Sequence, residues 1–215
     1  MNSAEWMSLW YLRLNGYFTI PNFWEHGRRG PLTEIDVVGV RFPHSYEHPF
    51  QDDPQLQIPR GVIDFVLVEA KKSGQIEKLN DTWGKPEMLE YVLRRVGVVS
   101  DKEVNELARN LCTKTKVTGK DFTIRVLAFA QSIAPELKDR GVTFINWQQV
   151  LKFVNERFRK YEALKKQANT WDEFGQYLLT KLGGRTPPDV DALFAGWETC
   201  GRSHRTNRVP PTSSE

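Results

Sequence analysis

Three ionisable residues stand where buried β-strands normally carry apolar side chains. Asp36 follows the run 33–35, and Glu69 and Lys71 follow the apolar run Phe65-Val66-Leu67-Val68. An unpaired buried carboxylate is destabilising by several kcal/mol. An Asp or a Glu in such a strand is therefore expected to have a charged partner. Two carboxylates that lie close together repel each other unless a cation sits between them. Oxygen ligands of this kind suit a hard divalent ion such as Mg²⁺ or Mn²⁺.

The alternation of side chains along a strand decides which of these groups can meet. Glu69 and Lys71 point to the same side of their strand, whereas Asp64 has the opposite parity and is a poor partner for Glu69. If the two strands pair in register as an antiparallel hairpin, Asp36 lies beside Glu69. Glu34 shares the parity of Asp36 and is a weaker candidate for the same site.

A lysine next to a carboxylate-bound cation favours one class of reaction. The ammonium of Lys71 would steady an attacking water, or offset the charge of a phosphorane-like transition state. Carboxylates, a hard metal and a lysine therefore indicate phosphodiester hydrolysis more than acyl transfer.

These residues resemble the signature of the PD-(D/E)xK nuclease superfamily. Asp36 matches its aspartate and Glu69-Ala70-Lys71 its (D/E)xK motif, although no Pro precedes Asp36. The resemblance implies that Asp36, Glu69 and the Ala70 carbonyl bind Mg²⁺ or Mn²⁺ and that Lys71 is the catalytic lysine. In the Holliday-junction resolvases and Mrr-like restriction enzymes of this superfamily an acid on the first helix joins the site. Glu5 fits that position, as both a catalytic residue and a metal ligand.

The elements that must position these residues follow from periodicity and capping. The sequence predicts a helix over Ala4–Asn15, a strand over Tyr17–Ile20 that ends before Pro21, and then a polar loop. The remaining predicted strands are Leu32–Phe42, Val62–Lys71, Phe122–Phe129 and Gly141–Ile145. The remaining predicted helices are Lys85–Val96, Asp101–Thr113, one from Trp147 to about Tyr161, Trp171–Leu182 and Asp189–Trp197.

The order of these elements predicts an α/β fold with a mixed central sheet flanked by helices. The superfamily core runs helix, three strands, helix, strand, so the resemblance implies a restriction-endonuclease-like fold. We expect a nuclease-like core over 1–146, a C-terminal helical extension over 147–200 and a disordered tail over 201–215. Residues 43–59 form a long loop between the two strands of the site and separate Asp36 from Glu69 more widely than a simple hairpin requires.

Composition sets broad limits on the protein's class and partners. The chain has 215 residues with a net charge of +3, which suits a domain of ordinary size and weakly favours an anionic partner. No apolar run is long enough to span a membrane, and the start lacks the pattern of a signal peptide. Cys112 and Cys200 have no metal-type spacing. We therefore expect a cytoplasmic protein with no membrane partner.

The residues and the resemblance together predict a divalent-metal-dependent DNA endonuclease, in prokaryotic restriction, phage defence or DNA repair. It could act as a homodimer, with the region after Trp147 as an interface, or with a partner subunit. Two alternatives stay open: a catalytically silent nuclease-like fold that binds nucleic acid or serves assembly, and an RNA-directed nuclease.

The candidate residues also have simpler, structural interpretations. Glu69 and Lys71 could form a surface ion pair, Asp36 could be an edge-strand polar residue, and Glu5 could be a solvated acid in a first helical turn.

Overall fold

The computed structural model describes residues 1–27, 30–45, 51–79, 81–162 and 172–205. Its α-helices are α1 (Ser3–Leu14), α2 (Pro86–Val96), α3 (Asp101–Lys114), α4 (Pro135–Asp139), α5 (Trp147–Lys160), α6 (Glu173–Lys181) and α7 (Val190–Arg205). Its strands are β1 (Phe18–Gly27), β2 (Gly30–Arg41), β3 (Ile63–Ala70), β4 (Gln75–Ile76), β5 (Lys116–Thr118), β6 (Phe122–Ala130), β7 (Ser132–Ile133) and β8 (Thr143–Asn146). Short 3-10 helices lie at Pro54–Leu56 and Asp81–Gly84.

The main sheet has six strands and mixed polarity. Its order is β1-β2-β3-β6-β5, and β8 also pairs with β6. The first three strands form an antiparallel meander, whereas β6 runs parallel to β3 and β8 runs parallel to β6. Helices lie between β3 and β6 in the chain, because parallel neighbours need a long crossover. The prediction of a mixed sheet flanked by helices is confirmed.

Two apolar cores cover the two faces of this sheet. One core contains Leu9 and Leu12 of α1, Val66 and Val68 of β3, and residues of α5, α6 and α7. The other contains Leu67 of β3 with residues of α2, α3 and α4. Successive residues of β3 thus serve opposite cores, as the two-residue period of a strand requires. None of the helices in the described ranges is long and apolar enough to cross a membrane.

The first two strands are longer than the sequence predicts. The expected break at Pro21 and the expected polar loop after it are wrong, because β1 continues to Gly27 and Pro21 pairs with Val37. β1 is an edge strand of the sheet. Proline is tolerated in an edge strand because its missing N–H can lie on the side that has no neighbouring strand to bond. Trp24 therefore lies in β1.

The helices largely follow their predicted spans. A capping box of Ser100 and Glu103 starts α3, as its sequence predicts. The short elements α4, β4, β5 and β7 have too little periodicity to be recognised in advance. α7 extends to Arg205 and so includes the first residues of the expected tail, whereas 206–215 lie outside the described residues, as do 46–50 of the long loop and Trp171.

A buried ion pair joins two central strands at the end of the sheet remote from Glu69. Arg125 of β6 is 2% exposed and Asp64 of β3 is 1% exposed. The guanidinium donates to both carboxylate oxygens, with Nη2 2.8 Å from Oδ2 and Nε 3.0 Å from Oδ1. Arg125 also donates to the Leu56 carbonyl at 2.6 Å, and the Tyr17 hydroxyl donates to Asp64. Asp64 is therefore a structural anchor.

Candidate active site

The pairing of β2 with β3 determines which residues of the two strands face each other. Val37 of β2 pairs with Val68 of β3 in an antiparallel register. Asp36, which precedes Val37, therefore faces Glu69, which follows Val68. Glu69 shares its parity with Leu67, which packs in the core beneath α2 and α3. This is the register from which the sequence predicts that Asp36 lies beside Glu69.

The Asp36 carboxylate bonds directly to the backbone of the motif on β3. Its Oδ2 accepts a hydrogen bond from the Ala70 N–H at 2.7 Å. Asp36, Glu69 and Ala70 are all half-buried. A bond from a charged acceptor to a backbone donor holds the two strand segments together more firmly than a neutral bond would.

The Glu69 carboxylate is hydrogen-bonded by a side chain that lies just before α2. Its Oε2 accepts a hydrogen bond from the indole Nε1–H of Trp83 at 3.0 Å. Trp83 lies in the 3-10 helix that precedes α2, and its ring is only 2% exposed. Trp83 therefore packs in the core that covers this face of the sheet.

Lys71 immediately follows β3 and has an exposed side chain and a fixed backbone. Its Nζ donates to the Gln75 carbonyl at 2.8 Å. Its backbone N–H donates to the Phe129 carbonyl at 2.8 Å, and its own carbonyl accepts a bond from the indole of Trp147 at 2.9 Å. The ammonium is thus accessible at the end of a rigid segment.

Glu5 has a local partner in the first turn of α1. Its carboxylate accepts a bond from the Asn2 backbone N–H at 2.9 Å, and its own backbone N–H donates to the Asn2 side-chain oxygen at 3.1 Å, which together form a capping box. α1 packs on the core that contains Val66 and Val68, which is the face opposite to the one that Glu69 shares with Leu67. Glu5 thus caps its own helix, and among the described residues it joins no group of three or more His, Cys, Asp or Glu side chains placed to hold a metal ion.

The donor set of Asp36 and Glu69 suits a hard divalent cation. Facing positions on adjacent strands place the Cβ atoms of the two residues about 5 Å apart, and the Ala70 carbonyl belongs to the same segment as Glu69. Within the residues that the structure describes, no group of three or more His, Cys, Asp or Glu side chains is placed to hold a metal ion. Any ion here would therefore keep several water ligands, as Mg²⁺ usually does in proteins.

Lys72 also has a defined partner next to the site. Its Nζ forms an ion pair with Glu198 of α7 at 2.7 Å, and the other oxygen of Glu198 accepts from the Ser3 hydroxyl at 3.0 Å. Both charged side chains are more than a third exposed. Lys72 and Glu198 thus bridge the end of β3 to the first and last helices.

The sequence alone does not reveal three side chains that bond to β3 and to Lys71. Trp83, Trp147 and Arg125 bond to residues 14, 76 and 61 positions away in the chain. The signal available in advance is chemical, since a buried indole N–H or guanidinium almost always finds an acceptor. The side chain of Glu34, the weaker candidate, lies outside those that the structure describes.

Comparisons of this chain with protein families, with curated proteins and with solved structures find no significant match. The resemblance to the PD-(D/E)xK superfamily therefore rests on the motif residues and their order alone.

Proposed function

We propose that this protein is a divalent-metal-dependent nuclease that hydrolyses phosphodiester bonds in DNA. The observation that carries the proposal is the placement of Asp36 and Glu69 at facing positions on β2 and β3, with Lys71 two residues beyond Glu69. Restriction, phage defence and DNA repair are the settings that a nuclease of this size would suit.

Each residue of the site has a distinct task in this proposal. Asp36, Glu69 and the Ala70 carbonyl would hold Mg²⁺ or Mn²⁺. When bound, such an ion polarises a phosphoryl oxygen and stabilises the charge that develops on it. The exposed ammonium of Lys71 would add a positive charge beside the scissile phosphate, and its bonded backbone fixes the point from which the side chain extends.

The connectivity supports a restriction-endonuclease-like fold as the finer form of the proposal. α1, three antiparallel strands, two helices and a strand parallel to β3 follow one another along the chain. The resemblance implies this order, to which β4, α3 and β5 are additions before β6. The charged residues lie at the carboxyl end of β3, next to a parallel neighbour, where open α/β sheets commonly bind ligands.

The test combines substrate cleavage with matched controls. Purified protein is incubated with plasmid, linear duplex, single-stranded DNA and RNA, in Mg²⁺, Mn²⁺ or EDTA. We expect metal-dependent DNA cleavage that falls at least about 100-fold in Glu69→Gln and in Lys71→Ala. The controls Glu106→Gln and Lys102→Ala alter exposed residues of α3 and should cut like the wild type. Cleavage that survives both site substitutions would refute the proposed site, and cleavage of RNA alone would refute the choice of substrate.

A catalytically silent, nucleic-acid-binding role is the second candidate. The observation that favours it is that the groups of the site already have protein partners: Ala70 for Asp36, Trp83 for Glu69 and Gln75 for Lys71. Binding of duplex DNA that is unaffected by EDTA, without cleavage in either metal, would support this role over the nuclease.

A further inference from the structure

Two buried tryptophans bond to the Glu69–Lys71 segment from elements that are far apart in the chain. Trp83 is 2% exposed and Trp147 is 1% exposed. The indole of Trp83 donates to the Glu69 carboxylate at 3.0 Å, and that of Trp147 donates to the Lys71 carbonyl at 2.9 Å. The motif is thus held once through a side chain and once through its backbone.

The surroundings of Trp83 keep its donor pointed at the carboxylate. The ring belongs to the core that also contains Leu67, Ile76 and Leu79, and its 3-10 helix leads directly into α2. An indole offers one N–H donor and no acceptor. A ring packed in this way cannot turn away without opening the core, so the hydrogen bond fixes the direction of the Glu69 side chain.

The surroundings of Trp147 fix its indole just as firmly. Trp147 is the first residue of α5, which a capping box of Asn146 and Gln149 starts. Its ring stacks on Phe129 with 5.7 Å between centroids and meets the edge of Phe194 at 5.2 Å. The backbone carbonyl of Phe129 also accepts from the Lys71 N–H. Both polar groups of the Lys71 backbone are therefore bonded to residues whose rings stack on each other.

We infer that Trp83 and Trp147 are positioning residues of the site, Trp83 for the ligand Glu69 and Trp147 for Lys71. This inference rests on the proposed function. A hydrogen bond to a ligating carboxylate orients it, and loss of such a partner lowers metal affinity or activity by about 10–100-fold. The two tryptophans therefore act on different quantities: Trp83 on the affinity for the ion, and Trp147 on the rate once the ion is bound.

The experiment compares Trp83→Phe and Trp147→Phe with Trp10→Phe. Trp10 is a matched control because its indole also donates to a carboxylate, that of Asp172 at 2.9 Å, and does so away from the site. Mn²⁺ affinity is measured by titration calorimetry without DNA, and turnover on plasmid at saturating Mn²⁺. Thermal unfolding of each variant reports the general cost of removing a buried ring.

We expect Trp83→Phe to weaken Mn²⁺ binding about tenfold or more. Trp147→Phe should keep that affinity and lose about tenfold in turnover. Trp10→Phe should change only the unfolding temperature. Wild-type affinity in Trp83→Phe together with wild-type turnover in Trp147→Phe would overturn the inference and leave the proposed function intact. A wild-type protein that neither binds Mn²⁺ nor cuts DNA would overturn the proposed function itself.

A second substitution keeps the test decisive if Trp83→Phe does not fold. β-(3-Benzothienyl)alanine at position 83 replaces the indole N–H with sulfur and keeps the shape of the ring. Folding should then be preserved while the bond to Glu69 is lost. The same loss of Mn²⁺ affinity in this variant supports the positioning role, and unchanged affinity overturns it.

Discussion

The buried ion pair between Asp64 and Arg125 should be the most sensitive electrostatic contact in the described part of the fold. Removing one partner leaves a charge in the core without compensation, at a cost of about 3–5 kcal/mol. Both residues are at most 2% exposed, and among the described residues the further acceptors of Arg125 are the Leu56 carbonyl and the Tyr17 hydroxyl. We therefore expect Asp64→Asn to remove about 3 kcal/mol or more of a total stability of about 5–15 kcal/mol.

An exposed ion pair in the same protein gives the comparison. The side chains of Arg94 and Asp101 are 40% and 84% exposed, so Asp101→Asn should cost less than about 1 kcal/mol. Urea unfolding followed by tryptophan fluorescence measures both losses. If Asp64→Asn is no more destabilising than Asp101→Asn, the reasoning from burial is refuted. The pair Asp64→Leu and Arg125→Met removes both charges and should be less destabilising than Asp64→Asn alone.

Two further predictions concern pH and the first helix. Burial, reinforced by Asp53 at Tyr11 and by Asp64 at Tyr17, raises the pKa of both phenols. The folded state then keeps protons that the unfolded state releases above about pH 10, so the free energy of unfolding should fall as pH rises beyond that value. Tyr11→Phe and Tyr17→Phe should each flatten that fall in urea unfolding at pH 9 to 11, and an unchanged slope would contradict the assignment. Glu5→Gln should keep both the unfolding temperature and Mn²⁺ affinity, because glutamine also completes a capping box. A lower Mn²⁺ affinity of Glu5→Gln at an unchanged unfolding temperature would show that Glu5 is a metal ligand.

The pairing at the centre of the site could be predicted from the sequence because it depends on a local rule. Side chains alternate along a strand, so the parity of Asp36, Glu69 and Lys71 places them on one face once the two strands pair antiparallel. The same rule excluded Asp64, which instead pairs with Arg125. Strand periodicity and helix capping also sufficed for the mixed sheet and for most helix boundaries.

Only the tertiary structure shows which helix covers which face of the sheet. Periodicity shows that α1 has an apolar side but not which face of the sheet it covers, so Glu5 could be assigned to the site only by resemblance. Likewise, the extension of β1 past Pro21 depends on its position at the end of the strand order. The indole bonds of Trp83 and Trp147 join segments that only the packed chain brings together. The sequence by itself thus determined the parity of Asp36 and Glu69 and their facing positions on two strands, because side chains alternate along a strand. The packing of distant elements determined which side chains bond to them.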